Sequence, residues 1–182
     1  MPEKYRETAT LISQEEIGAG IFSMWLQTGE IARAAKPGQF ISVYSRDGSR
    51  LLPRPISICE ADGKSGRLRI VYRIAGAGTR EFSECEPGTE LDILGPLGNG
   101  FPLERMGAGK KAFLIGGGIG IPPMVQLAKA LPGSREQKQI VLGFRDELFL
   151  TEDLNAHGEV FIATEDGSSL TRGNLLDCIR ER

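Results

Sequence analysis

Residues 54–57 read Arg54-Pro55-Ile56-Ser57 and stand where one alternating apolar run gives way to the next, Ile56-Ser57-Ile58-Cys59. A guanidinium able to grip a phosphate lies three residues before a hydroxyl, with a proline fixing the backbone between them. In a strand, positions three apart face opposite sides. The two groups therefore reach different parts of one long ligand only if the strand bends or bulges here, which proline permits. Alone, an Arg-Pro pair before a strand reads as just an edge or bend with a solvated arginine.

The neighbouring stretches decide between these readings. Val71-Tyr72-Arg73-Ile74 reads as a further strand, followed by Gly76-Ala77-Gly78-Thr79, whose glycines let backbone amides approach an anion closely. Gly95-Pro96-Leu97-Gly98-Asn99-Gly100-Phe101 is richer in turn residues than a short hairpin needs. Upstream, residues 5–18 alternate loosely, turn at Gly18-Ala19-Gly20 and continue as Ile21-Phe22-Ser23-Met24-Trp25-Leu26, a hairpin pattern. Pro37-Gly38-Gln39 punctuates before the strand beginning at Phe40, and Asp62-Gly63-Lys64-Ser65-Gly66 joins residues 56–61 to 67–74. Residues 79–86 predict a short helix with Thr79 as its N-cap and a first turn suited to a phosphate; Pro87-Gly88 ends it. Glu90-Leu91-Asp92-Ile93-Leu94 is the last strand of this half. Short strands at this spacing, with no long helical pattern before residue 100, predict a closed antiparallel barrel of six strands.

Composition shifts at Met106-Gly107-Ala108-Gly109-Lys110-Lys111, which sets the expected domain boundary: a barrel over 1–106 and a nucleotide-binding α/β domain over 107–182. Ala112-Phe113-Leu114-Ile115 is a continuous apolar run of the kind shown by buried parallel strands. Gly116, Gly117, Gly118 and Gly120 then lead into a helix opened by Pro122-Pro123, with strands at 139–144 and 159–164 and a helix from near Thr171. This is a βαβ unit whose glycines suit backbone approach to a pyrophosphate, although close strand–helix packing also explains them. Thr164-Glu165-Asp166-Gly167-Ser168 offers polar groups for a ribose or nicotinamide amide, or simply a capped turn. Arg145 follows a strand and reads as solvated, and one histidine, His157, builds no catalytic triad or metal site.

In their order, these motifs resemble the flavin-binding barrel and nucleotide domain of the ferredoxin reductase superfamily. The resemblance is strongest to the electron-transfer subunits of class 1B, NAD-dependent dihydroorotate dehydrogenase, and runs from the second strand to Ser168. It implies an oxidoreductase subunit that binds FAD and uses NAD(H) as co-substrate. Arg54 would pair with the flavin pyrophosphate, Pro55 and Ile56 would belong to the same cofactor-binding stretch, and Ser57 would donate toward the reactive ring nitrogen. Val71, Tyr72 and Arg73 would line the flavin, Gly78 and Thr79 would hold the pyrophosphate, and Gly116, Gly117, Gly118 and Gly120 would border the nicotinamide nucleotide. Many relatives carry an aromatic residue where this chain has Ile56, so ring stacking is expected to be weaker or to come from elsewhere, Tyr72 or Tyr44 being the candidates. The implied partner is a catalytic FMN-containing dihydroorotate dehydrogenase subunit in a heterotetramer of pyrimidine biosynthesis. The alternatives are a related reductase subunit of a sulfide- or ferredoxin-linked complex, and an interaction module that has lost its cofactor.

The family carries a 2Fe-2S cluster whose cysteines would follow the nucleotide domain. This chain has three cysteines, Cys59, Cys85 and Cys178, none spaced for a cluster, so no metal ligands are assigned and the chain reads as truncated before that segment. Its 182 residues, 40% hydrophobic and 25% charged, suit a soluble globular protein. A net charge of -2 without a Lys/Arg cluster gives no footprint for nucleic acid. No apolar run nears the roughly 20 residues of a membrane span, and the N-terminus has no signal-peptide core, so a cytoplasmic location is expected.

Overall fold

The structure, a computed structural model, describes residues 3–105, 110–169 and 171–180. The chain divides into two compact units, Met1–Phe101 and Pro102–Arg182. The boundary expected between 106 and 107 lies outside the described residues.

The first unit is a closed six-stranded barrel in the order β1-β2-β5-β4-β3-β6, built from β1 (Tyr5–Gly18), β2 (Ile21–Gln27), β3 (Phe40–Val43), β4 (Arg54–Asp62), β5 (Arg67–Arg73) and β6 (Glu90–Leu97). Closure depends on the length of β1. Its first half pairs with β6 from Tyr5↔Gly95 to Thr10↔Glu90, and its second half pairs with β2, with irregularities between Leu11 and Ser13 and between Glu16 and Gly18. Such bulges bend one strand so that it serves two neighbours. Alternate residues point inward, and Leu11, Met24, Leu26, Ile41, Ile58, Leu68, Ile70, Leu91 and Ile93 form a core no more than 1% exposed. Burying each such side chain contributes about 1.5–3 kcal/mol.

Two short helices close the barrel ends. α1 (Glu30–Ala34) follows Gly29, which offers no side-chain cap, while the Thr28 hydroxyl accepts from the Ala32 amide at 3.3 Å. The Glu7 carboxylate of β1 takes the other free amides, accepting from Gly29 at 2.9 Å, Glu30 at 2.6 Å and Ile31 at 3.2 Å. α2 (Ala77–Ser83) starts two residues earlier than expected. Thr79 is not its N-cap; the N-cap is Gly76, and Thr79 Oγ1 reaches back to accept from the amides of Ala75 at 2.8 Å and Gly76 at 3.2 Å.

The second unit is a parallel sheet in the order β10-β9-β8-β7, with β7 (Ala112–Gly117), β8 (Lys138–Phe144), β9 (Glu159–Thr164) and β10 (Thr171–Arg172). α3 (Pro122–Ala130) follows β7, α4 (Thr151–Asn155) follows β8, and α5 (Leu175–Arg180) follows β10. The helix expected from near Thr171 starts only at Leu175, because Thr171 and Arg172 pair with Ala163 and Thr164 as a fourth strand. Adjacent glycines admit helices on opposite faces of β7. A Cβ at Gly116 would stand 3.2 Å from Met124 of α3, and one at Gly117 would stand 3.2 Å from Leu175 of α5. Buried Lys138 caps α3 from a distance, its Nζ donating to the carbonyls of Ala128 and Leu131, each at 3.0 Å. Among the described residues no helix is long and apolar enough to cross a membrane.

Candidate functional site

The ladder between β4 and β5 runs from Asp62↔Arg67 to Ile58↔Ile70 and pairs no further. Beyond Ile58 and Ile70 the strands part, so residues 54–57 flank one side of a slot and residues 71–73 the other. β5 still pairs with β2 through Arg73, so residues 71–73 keep one paired backbone edge and have no ladder partner from β4 on the other. The bend expected within 54–57 is absent. Val43↔Arg54, Ser42↔Pro55, Ile41↔Ile56 and Phe40↔Ser57 pair without interruption, and the irregularity falls between Ile58 and Glu60. The alternation of a regular strand therefore applies: Ile56 faces the core and is 7% exposed, whereas Ser57 stands on the outer wall.

Arg54 is the first residue of β4 and lies at the barrel end. Its Nη1 donates to the Leu52 carbonyl at 2.6 Å, and its Nε would lie 2.6 Å from a Cβ at Gly78. The guanidinium is thus spread over the first turn of α2, where backbone amides have no intrahelical acceptor. Among the described residues Arg54 has no carboxylate partner. A cation held at a helix N-terminus without an acidic neighbour places two positive poles together, which favours an anion between them. From Arg54 to Ser57 is three residues of strand, about 10 Å. In the unbent strand the two side chains leave on opposite faces, so one elongated ligand meets both only because Arg54, the first residue of β4, extends its guanidinium over Gly78 at the barrel end.

The other assigned residues divide by orientation. Val71 lies on the outer wall and is buried, and Arg73 is exposed. The Tyr72 side chain is inside the barrel: its hydroxyl donates to Gln14 Oε1 at 2.8 Å, its ring is stacked on Phe22 and meets the edge of Phe82, and burial pushes its pKa up. Tyr72 cannot stack on a ligand in the slot and can offer it only backbone. Nor is Tyr44 beside Ser57; it carries the Arg6 guanidinium 5.2 Å above its ring. The aromatic residue next to Ser57 is Phe40, its direct cross-strand partner, whose outward ring also lies 3.4 Å from where a Gly98 Cβ would stand. The alternation of β3 alone puts Phe40 outside, but its apposition to Ser57 depends on strand register. Pro55 is exposed, and the Thr79 hydroxyl is engaged by its own helix start.

The turn of residues 37–39 is part of the same construction. Buried Gln39 accepts from the Lys36 amide at 2.7 Å and donates to the Gly98 carbonyl at 2.8 Å, while the Phe101 amide donates to the Pro37 carbonyl at 2.8 Å. The two turn-rich segments hold each other next to Phe40.

In the second unit the glycines after β7 have separate roles. Gly116 and Gly117 are packing positions. At Gly118, with φ +49°, and at Gly120, an added Cβ would meet nothing within 4 Å. Proline at Pro122 and Pro123 removes two first-turn amides from α3, and the Met124 amide donates to the Ile121 carbonyl at 2.9 Å. The start of α3 therefore offers few free backbone donors, and the open backbone here is that of the loop at 118–120. Residues 164–168 form a capped turn: Asp166 Oδ1 accepts from the Ser168 amide at 3.0 Å and its hydroxyl at 2.7 Å, which holds the Asp166 carboxyl below its ordinary range.

No protein-family model matches the chain. It is 42% identical to the electron transfer subunit of dihydroorotate dehydrogenase B (NAD(+)) from Bacillus caldolyticus over 180 residues, covering 97% of this chain and 70% of that protein. The same subunit from Listeria monocytogenes serotype 4b is 44% identical over 169 residues, covering 92% and 66%. Solved structures share the fold, two of them as follows. An NADH-dependent reduced ferredoxin-NADP oxidoreductase superposes with a TM-score of 0.86 at 23% identity, over 96% of this chain and 63% of that one. The ferredoxin NADP+ reductase of Neisseria gonorrhoeae, with bound FAD and NADP, gives 0.78 at 17%, over 97% and 76%. Identity above 40% across nearly the whole chain, on a barrel and parallel sheet of this topology, is more than a shared fold: the chain belongs to the family of electron transfer subunits of NAD-dependent dihydroorotate dehydrogenase B.

Proposed function

We propose that the barrel binds FAD in the slot between the parted ends of β4 and β5, and that the chain exchanges electrons between this flavin, NAD(H) and a catalytic dihydroorotate dehydrogenase subunit. The observation that carries this reading is the Arg54 guanidinium, held over Gly78 without a carboxylate partner among the described residues. Arg54 and the first-turn amides of α2 would grip the pyrophosphate. Ser57 and the backbone of Val71, Tyr72 and Arg73 would position the ring on the outer wall, with Phe40 beside it. Bound FAD supplies the redox chemistry, accepting hydride as an electron pair and releasing electrons singly. The residues of this chain bind and orient it; no acid or base of theirs is required.

The nicotinamide nucleotide would meet the glycine loop at 118–120. The cofactor and nucleotide halves fall at 1–106 and 107–182 in this reading, and the assembly with the FMN-containing partner is a heterotetramer serving pyrimidine biosynthesis. Four thiolates are the usual ligands of a 2Fe-2S centre. The chain has three cysteines, two buried and one half-buried, so it cannot by itself supply four thiolates. The visible spectrum of the purified protein before and after NADH tests the reading. Flavin bands that bleach support it; a colourless protein that stays colourless with added FAD overturns it.

A further inference from the structure

We infer that Glu81 is a positioning residue for the cofactor pyrophosphate: it clasps the loop at residues 45–52 onto α2 and thereby fixes the Leu52 carbonyl that orients Arg54. The inference rests on the pyrophosphate role of Arg54 proposed above.

Glu81 sits one helical turn after Gly78, with its side chain 18% exposed. Its carboxylate accepts from three points of the loop: the Ser45 hydroxyl, the Arg46 amide at 2.7 Å and Arg50 Nη1 at 2.8 Å. Arg50 Nη1 also reaches the Ala77 carbonyl of α2 at 3.4 Å, and Arg50 Nε lies 3.3 Å from Asp47. Apolar packing does not hold this loop. Its tip carries Leu51 and Leu52 at 83% and 75% exposure, so polar anchoring must set its position. Burial alone would push the Glu81 carboxyl up; the hydrogen bonds from Ser45, Arg46 and Arg50 outweigh burial and hold it below the ordinary range.

Two residues beyond Arg50, the Leu52 carbonyl accepts from Arg54 Nη1 at 2.6 Å. α2 therefore fixes the guanidinium from two sides. Gly78 is the floor beneath it, and Glu81 anchors the loop that carries its acceptor. An arginine without that acceptor regains rotamer freedom, which the cofactor must then remove on binding.

The experiment is titration of the purified chain with FAD and, separately, with riboflavin, which lacks the pyrophosphate. The variants are Glu81→Gln, Arg50→Ala, Arg54→Ala and the double variant Glu81→Gln/Arg54→Ala. Glu81→Gln is expected to raise the Kd for FAD about tenfold, in line with the loss of a charge-assisted contact. It should leave the riboflavin Kd within about twofold and add no more than about twofold in the Arg54→Ala background. Arg50→Ala removes the same contact from the loop side; it should shift FAD in the same direction, and it decides the matter if Glu81→Gln fails to fold. An FAD Kd unchanged by either loop-anchor variant overturns the inference. So does an equal loss in both Arg54 backgrounds, or an equal loss for riboflavin, since each marks a merely structural role. If Arg54→Ala leaves the FAD Kd unchanged, the pyrophosphate reading itself fails and takes the inference with it.

Discussion

The guanidinium of Arg54 lies over Gly78 so closely that a Cβ at position 78 would stand 2.6 Å from its Nε and 3.2 Å from its central carbon. The backbone of Gly78 is helical, so alanine there improves helix propensity while displacing the arginine. Gly78→Ala is expected to leave the thermal midpoint unchanged or slightly raised and to weaken FAD binding about tenfold, the two effects having different origins. A melt and a flavin fluorescence titration on one preparation check both.

Arg54→Ala and Arg73→Ala separate the two arginines near the slot. Only Arg54 is held over α2; Arg73 is exposed at the end of β5. Flavin content after purification should fall sharply in the first variant and stay near wild type in the second. Equal flavin content would remove the pyrophosphate role.

Phe40 and Tyr72 should behave oppositely. Phe40→Leu removes the ring opposite Ser57 and is expected to shift the visible flavin bands and reduce affinity. Tyr72→Phe removes the hydrogen bond to Gln14 inside the barrel, costing stability of about 1 kcal/mol with unchanged flavin bands. Absorption spectra and urea unfolding of the two variants distinguish a ligand contact from a core contact.

Gly118→Val places a β-branched side chain at φ +49°, a backbone region that costs such residues about 1–2 kcal/mol, and fills the space beside the loop amides. FAD content should persist while NADH-driven flavin reduction slows. Stopped-flow reduction at several NADH concentrations measures it, and rates equal to wild type would leave the glycine with a conformational role alone.

The clasp also predicts a pH dependence. Because folding lowers the Glu81 pKa, its contribution to stability is present above the unfolded value near pH ~4.3 and is lost as pH falls through the lower folded value. Glu81→Gln should therefore be less stable than wild type at neutral pH, and the difference should shrink on acidification below the ordinary carboxylate range. Denaturant midpoints of both proteins across that range provide the check.

Much of the architecture was legible in the chain itself, because it is written in local periodicity. Alternation marked the barrel strands, Gly18-Ala19-Gly20 and Asp62-Gly63-Lys64-Ser65-Gly66 marked two hairpin turns, and a continuous apolar run followed by glycines and Pro122-Pro123 marked the β7–α3 unit. Residue chemistry marked Arg54 and the glycines at 76 and 78 each for an anion, the family resemblance implied that the anion is shared, and the barrel brings Arg54 and Gly78 together.

What local pattern could not carry was anything set by partners distant in sequence. Most of the free amides at the start of α1 go to Glu7, more than twenty residues earlier, and Thr79 became the third helical residue because its hydroxyl found the amides of Ala75 and Gly76. Tyr72 was drawn inward by strand parity and Gln14, and Phe40 took the place beside Ser57 through the register of β3 on β4. Side-chain facing is fixed by alternation once a strand is known. Which residues then meet depends on register, closure and caps, interactions whose free energy arises only when distant segments come together; that is why the tertiary structure alone decided the slot, its floor at Gly78 and the Glu81 clasp.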